Sequence, residues 1–262
     1  MDNIIELDKI YNEDCLEGLK RIHDDSIDCM ITSPPYNVGI DYGDKYNDNQ
    51  PFNEYLSFIK EVMTEVYRVL KNGGRAIINI ANTGRKPYIP LSSYINMIMI
   101  EIGFLCRGEI VWDKGASVGV SCAWGSWKSP SNPSLRDVHE YILVFSKGDY
   151  KHVVENGEPT ISSEEFVEST KSIWHMQTEN AKKIGHPAPF PLSLPTKLIN
   201  LYTFKDDIIL DPFIGSGTTA IAAIRGNRHF IGFETNLDYF KIAMERVVKE
   251  IQPTLFDNQK GD

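Results

Sequence analysis

Ile208-Ile209-Leu210-Asp211-Pro212-Phe213-Ile214-Gly215-Ser216-Gly217-Thr218-Thr219-Ala220 is the stretch that decides the fold class of this 262-residue chain. An apolar run ends at Asp-Pro, two glycines follow one residue apart, and small residues open the next segment. That order spells a strand, a tight turn and a helix start. The glycines let the backbone turn with positive φ and approach a ligand closely. Working outward, the pattern predicts a strand over 207–210, a helix running to Ile224, a strand over His229–Phe233 and a last helix from Leu237 to about Ile251. A helix over Ser193–Phe204 precedes them. Glu234 stands 19 residues after Gly215, at the end of the next strand. There an acid can take both hydroxyls of a ribose.

Further upstream the same alternation continues. Ile27–Thr32 reads as a buried strand stopped by Ser33-Pro34-Pro35. Residues 37–51 read as a loop. Phe52–Leu70 carries apolar residues at helical spacing, and Asn72-Gly73-Gly74 is expected to end that helix. Ala76–Ile80, Leu105–Trp112 and Tyr141–Phe145 read as strands, and Leu91–Ile102 as a helix. The expected fold is α/β: a mostly parallel twisted sheet with helices on both faces, Rossmann-like. Residues 114–136 and 147–190 lack clear periodicity, and long irregular stretches in a compact domain are often functional. The expected division is a core of residues 1–113 and 186–252, a recognition region of 114–185 with a returning core strand near 138–146, and a flexible tail of 253–262.

Taken alone, the turn also spells Gly-x-Gly-x-x-Ala, which suits a nicotinamide dinucleotide. Two details favour S-adenosylmethionine instead. Asp211 precedes the turn, where its carboxylate would hold a cationic amino group and repel a pyrophosphate. The turn also sits late in the chain, whereas dinucleotide folds usually open with it.

Ser33-Pro34-Pro35-Tyr36 follows a strand directly. Its prolines remove two backbone donors and keep their carbonyls. An exocyclic amino group of a base has a lone pair delocalised into the ring, so it needs acceptors nearby and no competing donors. The Ser33 hydroxyl and the Pro34 carbonyl would draw its protons, and Tyr36 would stack on the base. The base must leave the helix to reach them.

With these segments in that order, the chain resembles the β group of amino-methylating DNA methyltransferases. Tyr11-Asn12-Glu13-Asp14-Cys15, followed by Asp28–Tyr36, is similar to the family's opening. Asp211–Thr219 is similar to its cofactor turn, and Phe230-Ile231-Gly232-Phe233-Glu234 to its ribose-binding strand. His186-Pro187-Ala188-Pro189-Phe190-Pro191 with Leu194, Pro195 and Lys197 resembles the segment contacting the methionine end. The resemblance implies Ser33, Pro34, Pro35 and Tyr36 as catalytic residues. It implies a cofactor site of Asp14, Cys15, His186, Lys197, Asp211, Pro212, Phe213, Gly215, Ser216, Gly217, Thr218, Glu234, Thr235 and Asn236, with Asp14 and Cys15 near the adenine. Target recognition would fall in the two irregular regions. Asn37, Lys114, Trp124, Lys128 and Arg136 are the candidate DNA contacts, and no metal is expected.

The net charge of −9 argues mildly against a nucleic-acid partner. It leaves room for a local basic groove, for which Lys114, Lys128, Arg136, Lys147, Lys182 and Lys183 are available. Trp112, Trp124 and Trp127 would suit a groove-reading surface. The four cysteines are scattered and show no metal-ligand spacing. No Pro-Cys dipeptide occurs, which excludes ring-carbon methylation of cytosine through a cysteine nucleophile. In the family, serine at the first motif position goes mainly with cytosine N4 and an acidic or amide residue with adenine N6, so Ser33 favours cytosine. The alternatives are adenine N6 and, more remotely, RNA or a protein glutamine. Double-stranded DNA is the implied partner, with a cognate restriction endonuclease acting separately and a homodimer both open. No leader-like pattern and no long apolar run occurs, so a cytoplasmic protein is expected.

Overall fold

Strict alternation along the strands builds two cores from one sheet. Met30, Ile78, Phe145, Leu210 and Ile231 face one side, while Cys29, Ile31, Ile77, Val144 and Ile209 face the other. The computed structural model describes residues 5–39, 48–84, 87–115, 125–178 and 190–252. Among them the strands are β1 (Lys9–Tyr11), β2 (Ile27–Thr32), β3 (Leu70–Ile80), β4 (Leu105–Asp113), β5 (His139–Ser146), β6 (Ile173–His175), β7 (Ile208–Asp211) and β8 (His229–Phe233). The helices are α1 (Cys15–Leu19), α2 (Phe52–Val69), α3 (Leu91–Ile102), α4 (Ser163–Ser169), α5 (Ser193–Tyr202), α6 (Thr218–Arg225) and α7 (Leu237–Ile251). The sheet order is β1-β8-β7-β2-β3-β5-β4-β6. All pairs are parallel except those that β5 makes with β3 and β4. This is the expected doubly covered α/β sheet.

One face packs on α1, α2 and α3. The α2 residues Tyr55, Ile59, Val62, Met63 and Val66 are fully buried there. Removing each such side chain from water is worth about 1.5–3 kcal/mol. The other face packs on α5, α6 and α7 through Leu198, Ile199, Ala220–Ala223, Ala243 and Val247.

Three expectations change. Asn72-Gly73-Gly74 does not end α2; the helix stops at Val69, and Leu70 is already extended and paired with Ile27. The three residues lie inside β3, where the register jumps from Ile27↔Leu70 to Cys29↔Arg75. Gly73 takes φ +78° there, and a Cβ on it would run into the Lys151 carbonyl. Second, the irregular stretch 147–190 contains α4 and β6, and β6 joins the sheet beside β4. Third, Trp112 is not a surface residue. It is buried in the second core, with its indole N–H donating to the Met176 carbonyl at 2.9 Å. His186, Trp124, Lys182, Lys183 and the tail 253–262 lie outside the described residues. Among the described residues, no helix is long and apolar enough to cross a membrane.

Candidate active site

The carboxyl ends of the parallel strands converge where the chain order reverses between β7 and β2, the usual ligand position in such sheets. The glycine turn leaves β7 there, Ser33-Pro34-Pro35-Tyr36 leaves β2 beside it, and Glu234 follows β8.

The turn is held from three sides. Gly215 and Gly217 take φ of +52° and +82°. A Cβ at Gly217 would lie 3.1 Å from the Ala243 Cβ, so only glycine suits both the backbone and the packing. Arg246 of α7 donates to the Ser216 carbonyl (2.5 Å) and to the hydroxyls of Ser216 (3.1 Å) and Thr218 (3.2 Å). Glu234 accepts from the Asn236 amide at 2.7 Å and from the Gly215 amide. Burial pushes its carboxyl up to about 7. Asn236 also caps α7, accepting from Asp238 and Tyr239, a contact worth about 1 kcal/mol.

Asp211, expected to hold a cationic amino group, is buried against its own chain. Its carboxylate is 1% exposed and accepts from Thr32 Oγ1 (2.6 Å), Thr219 Oγ1 (2.6 Å) and the Phe213 amide (3.1 Å). Burial pushes it up to about 6, against the pull of those bonds. Three of its roughly four acceptor directions are therefore taken. The residue ties the glycine turn to the strand that carries the Ser33–Tyr36 tetrapeptide. Pro212 is buried, and half-buried Phe213 packs on Phe58 with ring centroids 6.0 Å apart.

The opening segment is laced to the same place. Asn12 donates to the carbonyls of Glu234 (2.8 Å) and Thr235 (3.1 Å). Asp14 caps α1 through the Leu16 amide. Cys15 is buried in the first core, and burial pushes its thiol up. Lys197 is turned elsewhere: its ammonium lies 4.3 Å from the Trp174 ring centre at the far edge of the sheet, and burial lowers its pKa. The structure does not bring Lys197 to the turn.

In the tetrapeptide, Pro34 and Pro35 are buried, and Ser33 and Tyr36 are half-buried. Ser33 Oγ lies 2.9 Å from Tyr36 Oη. The Tyr55 hydroxyl donates to the Pro35 carbonyl at 2.9 Å, fixing the segment from the core side. Asn37 has φ +57° and closes the following loop, its amide exchanging hydrogen bonds with the Gln50 backbone (2.9 and 2.8 Å). Lys114 pairs with Glu140. Lys128 and Arg136 are exposed, and Lys128 lies over the exposed Trp127. Lys147 belongs to the opposite end of the sheet, where it pairs with Asp25 and donates to the Leu70 carbonyl. At that end His152 also bridges Asp207 (3.1 Å) and Asp28 (3.5 Å). Both acids are further held by Lys71 and by the Ile208 and Phe204 amides.

Asn12, Tyr55, Glu140 and Arg246 were not among the residues expected at the site. A largely buried acid at a strand end, a half-buried aromatic ring and a turn whose Gly217 admits no Cβ together fit a nucleoside.

The comparisons agree. Residues 27–245 match the N6_N4_Mtase family model, described as DNA methylase. The chain is 32% identical over 253 residues to the Type II methyltransferase M.HpaI of Haemophilus parainfluenzae, covering 92% of this chain and 74% of that protein. It is 35% identical over 186 residues to M.MjaVI of Methanocaldococcus jannaschii, covering 67% and 93%. The structure of TTHA0409 from Thermus thermophilus, complexed with S-adenosyl-L-methionine, superposes with a TM-score of 0.75 at 27% identity, covering 93% and 94% of the two chains. The chain belongs to the amino-methylating DNA methylases of the N4/N6 family, which use S-adenosyl-L-methionine.

Proposed function

We propose that this enzyme methylates the N4 amino group of a cytosine flipped out of duplex DNA, as the modifying member of a restriction-modification pair. The observation that carries the reading is Ser33 heading a donor-poor Pro-Pro segment, with its oxygen 2.9 Å from the Tyr36 hydroxyl. Bound S-adenosyl-L-methionine supplies an electrophilic methyl group carried on a sulfonium. Ser33 and the Pro34 carbonyl accept hydrogen bonds from the amino group, which localises the nitrogen lone pair. The extra proton leaves the nitrogen for water after attack, so no strong base is required. Orientation and the exclusion of water supply most of the rate. Residues 114–185, apart from the sheet strands β5 and β6 that run through them, are assigned to target recognition, with the exposed Trp127, Lys128 and Arg136 on that region.

Adenine N6 is the second reading, because the same acceptors serve either amino group. Expression in a host that makes neither modified base, followed by nucleoside analysis of its DNA, separates the two. N4-methylcytosine is expected, and N6-methyladenine overturns the base assignment.

The cofactor site carries its own pH signature. Ionised Glu234 accepts from both ribose hydroxyls, whereas its protonated form loses acceptor capacity. With the carboxyl at about 7, acidification weakens binding. The dissociation constant for S-adenosylmethionine should rise about tenfold from pH 8 to pH 6 by single-proton linkage. Glu234→Gln should bind weakly with a flatter profile. Calorimetry across that range checks this, and a flat profile for the unaltered enzyme contradicts it.

A further inference from the structure

We infer that Glu140, paired with Lys114, sets the direction of two hydroxyl groups so that Ser33 presents only lone pairs to the target amino group. This rests on the reading of Ser33 as an acceptor for an exocyclic amine.

Glu140 comes from the start of β5, which runs antiparallel and so reaches the same sheet end as the tetrapeptide. One carboxylate oxygen takes the Lys114 ammonium. The other accepts from Asn79 Nδ2 at 2.5 Å and lies 3.2 Å from Tyr36 Oη. Asn79 Nδ2 also lies 3.3 Å from Tyr36 Oη. A carboxylate beside an ammonium can only accept. The Tyr36 proton is well placed toward Glu140, and toward the backbone carbonyl of Asn79 3.5 Å away, which is also an acceptor. The phenol oxygen then accepts from Asn79 and from Ser33. With the Tyr36 proton placed so, the Ser33 hydroxyl, 2.9 Å away, is the donor of that pair, which leaves its lone pairs for the substrate. The reverse order would set a phenol lone pair against a carboxylate.

Asn79 bears the mark of this arrangement. Its Oδ1 is buried without a hydrogen-bond partner. The amide keeps that orientation because both Glu140 and Tyr36 require its N–H group, and an orphaned buried acceptor in a native protein calls for such a reason. Glu140 is a positioning residue: it acts through Tyr36 and Ser33. A glutamine in its place offers an N–H as well as an oxygen, so the chain of donors can reverse and turn the Ser33 proton toward the amine.

The test compares Glu140→Gln, Ser33→Ala and the double variant with the unaltered enzyme. Single-turnover methylation of duplex DNA by tritiated S-adenosylmethionine is read beside cofactor affinity and thermal midpoint. Losing one charge-assisted bond of this kind should slow Glu140→Gln about 10- to 100-fold. Cofactor affinity should stay within a few-fold and the midpoint within a few degrees. The double variant should be no slower than Ser33→Ala, because Glu140 has nothing left to orient. A full rate in Glu140→Gln overturns the inference. So does loss of cofactor binding together with turnover, or a double variant slowed by the product of both factors. No label from the unaltered enzyme in DNA overturns instead the amino-methyl reading beneath it.

Discussion

Ser33→Ala and Tyr36→Ala each lower turnover by at least about a hundredfold, the scale of losing one group that acts in the transition state, while S-adenosylmethionine binds within a few-fold of its original affinity. The split follows from the architecture. Ser33 and Tyr36 leave β2, and their neighbours in the structure are Glu140 and Asn79. The turn that would hold the cofactor leaves β7 and is fixed by Arg246, Glu234 and Asp211. The two groups of contacts meet at Asp211, which Thr32 reaches from β2. Removing the Ser33 hydroxyl takes away an acceptor for the amine. Removing the Tyr36 ring takes away the stacking face and the partner that orients Ser33. Rapid-quench turnover and calorimetric cofactor binding, measured on the same preparations, check the split. Loss of cofactor affinity along with rate would mean that the tetrapeptide belongs to the cofactor pocket.

Asp211→Ala has the opposite signature: cofactor binding, turnover and stability fall together. Three donors, on Thr32, Thr219 and Phe213, lose their shared buried acceptor. An orphaned buried donor costs about 1–3 kcal/mol; the two hydroxyls can rotate to other acceptors, so a net loss of about 3 kcal/mol is expected. The turn and the end of β2 then lose their common anchor. Asp211→Asn keeps the shape with fewer acceptor sites and should fall between the two. Thermal denaturation with and without cofactor reads stability and binding, and rapid-quench turnover reads the third effect. An alanine variant with native stability and affinity would show that the carboxylate is not the tie between the two segments.

The placing of the candidate site was legible because its segments are local runs. The tetrapeptide, the glycine turn and Glu234 each lie at a strand end, and strands of one α/β sheet deliver their carboxyl ends to one side. The helices α3 and α7 and the strands β2 and β8 appear with their expected bounds, since their apolar period is long or their flanking residues are decisive. What escaped is what depends on pairing across the chain. Glu140 is 104 positions from Tyr36, and Arg246 is 30 from Ser216. Nothing local marks either as a partner. The three residues of β6 are too few to show a period, and only their pairing with Val111, Trp112 and Asp113 makes them a strand. Asn72-Gly73-Gly74 reads as a stop because glycine usually ends helices, whereas here the pull of Leu70 toward Ile27 begins the strand first. The place of Asp211 before the turn is legible, but its inward direction is not, since its three donors come from Thr32, Thr219 and the Phe213 backbone.

Incubation with tritiated S-adenosylmethionine and unmodified duplex DNA, followed by digestion to nucleosides, tests the central claim most directly. The label should be recovered in DNA as N4-methylcytosine. Label in N6-methyladenine or 5-methylcytosine, or label in RNA or protein with none in DNA, would contradict it.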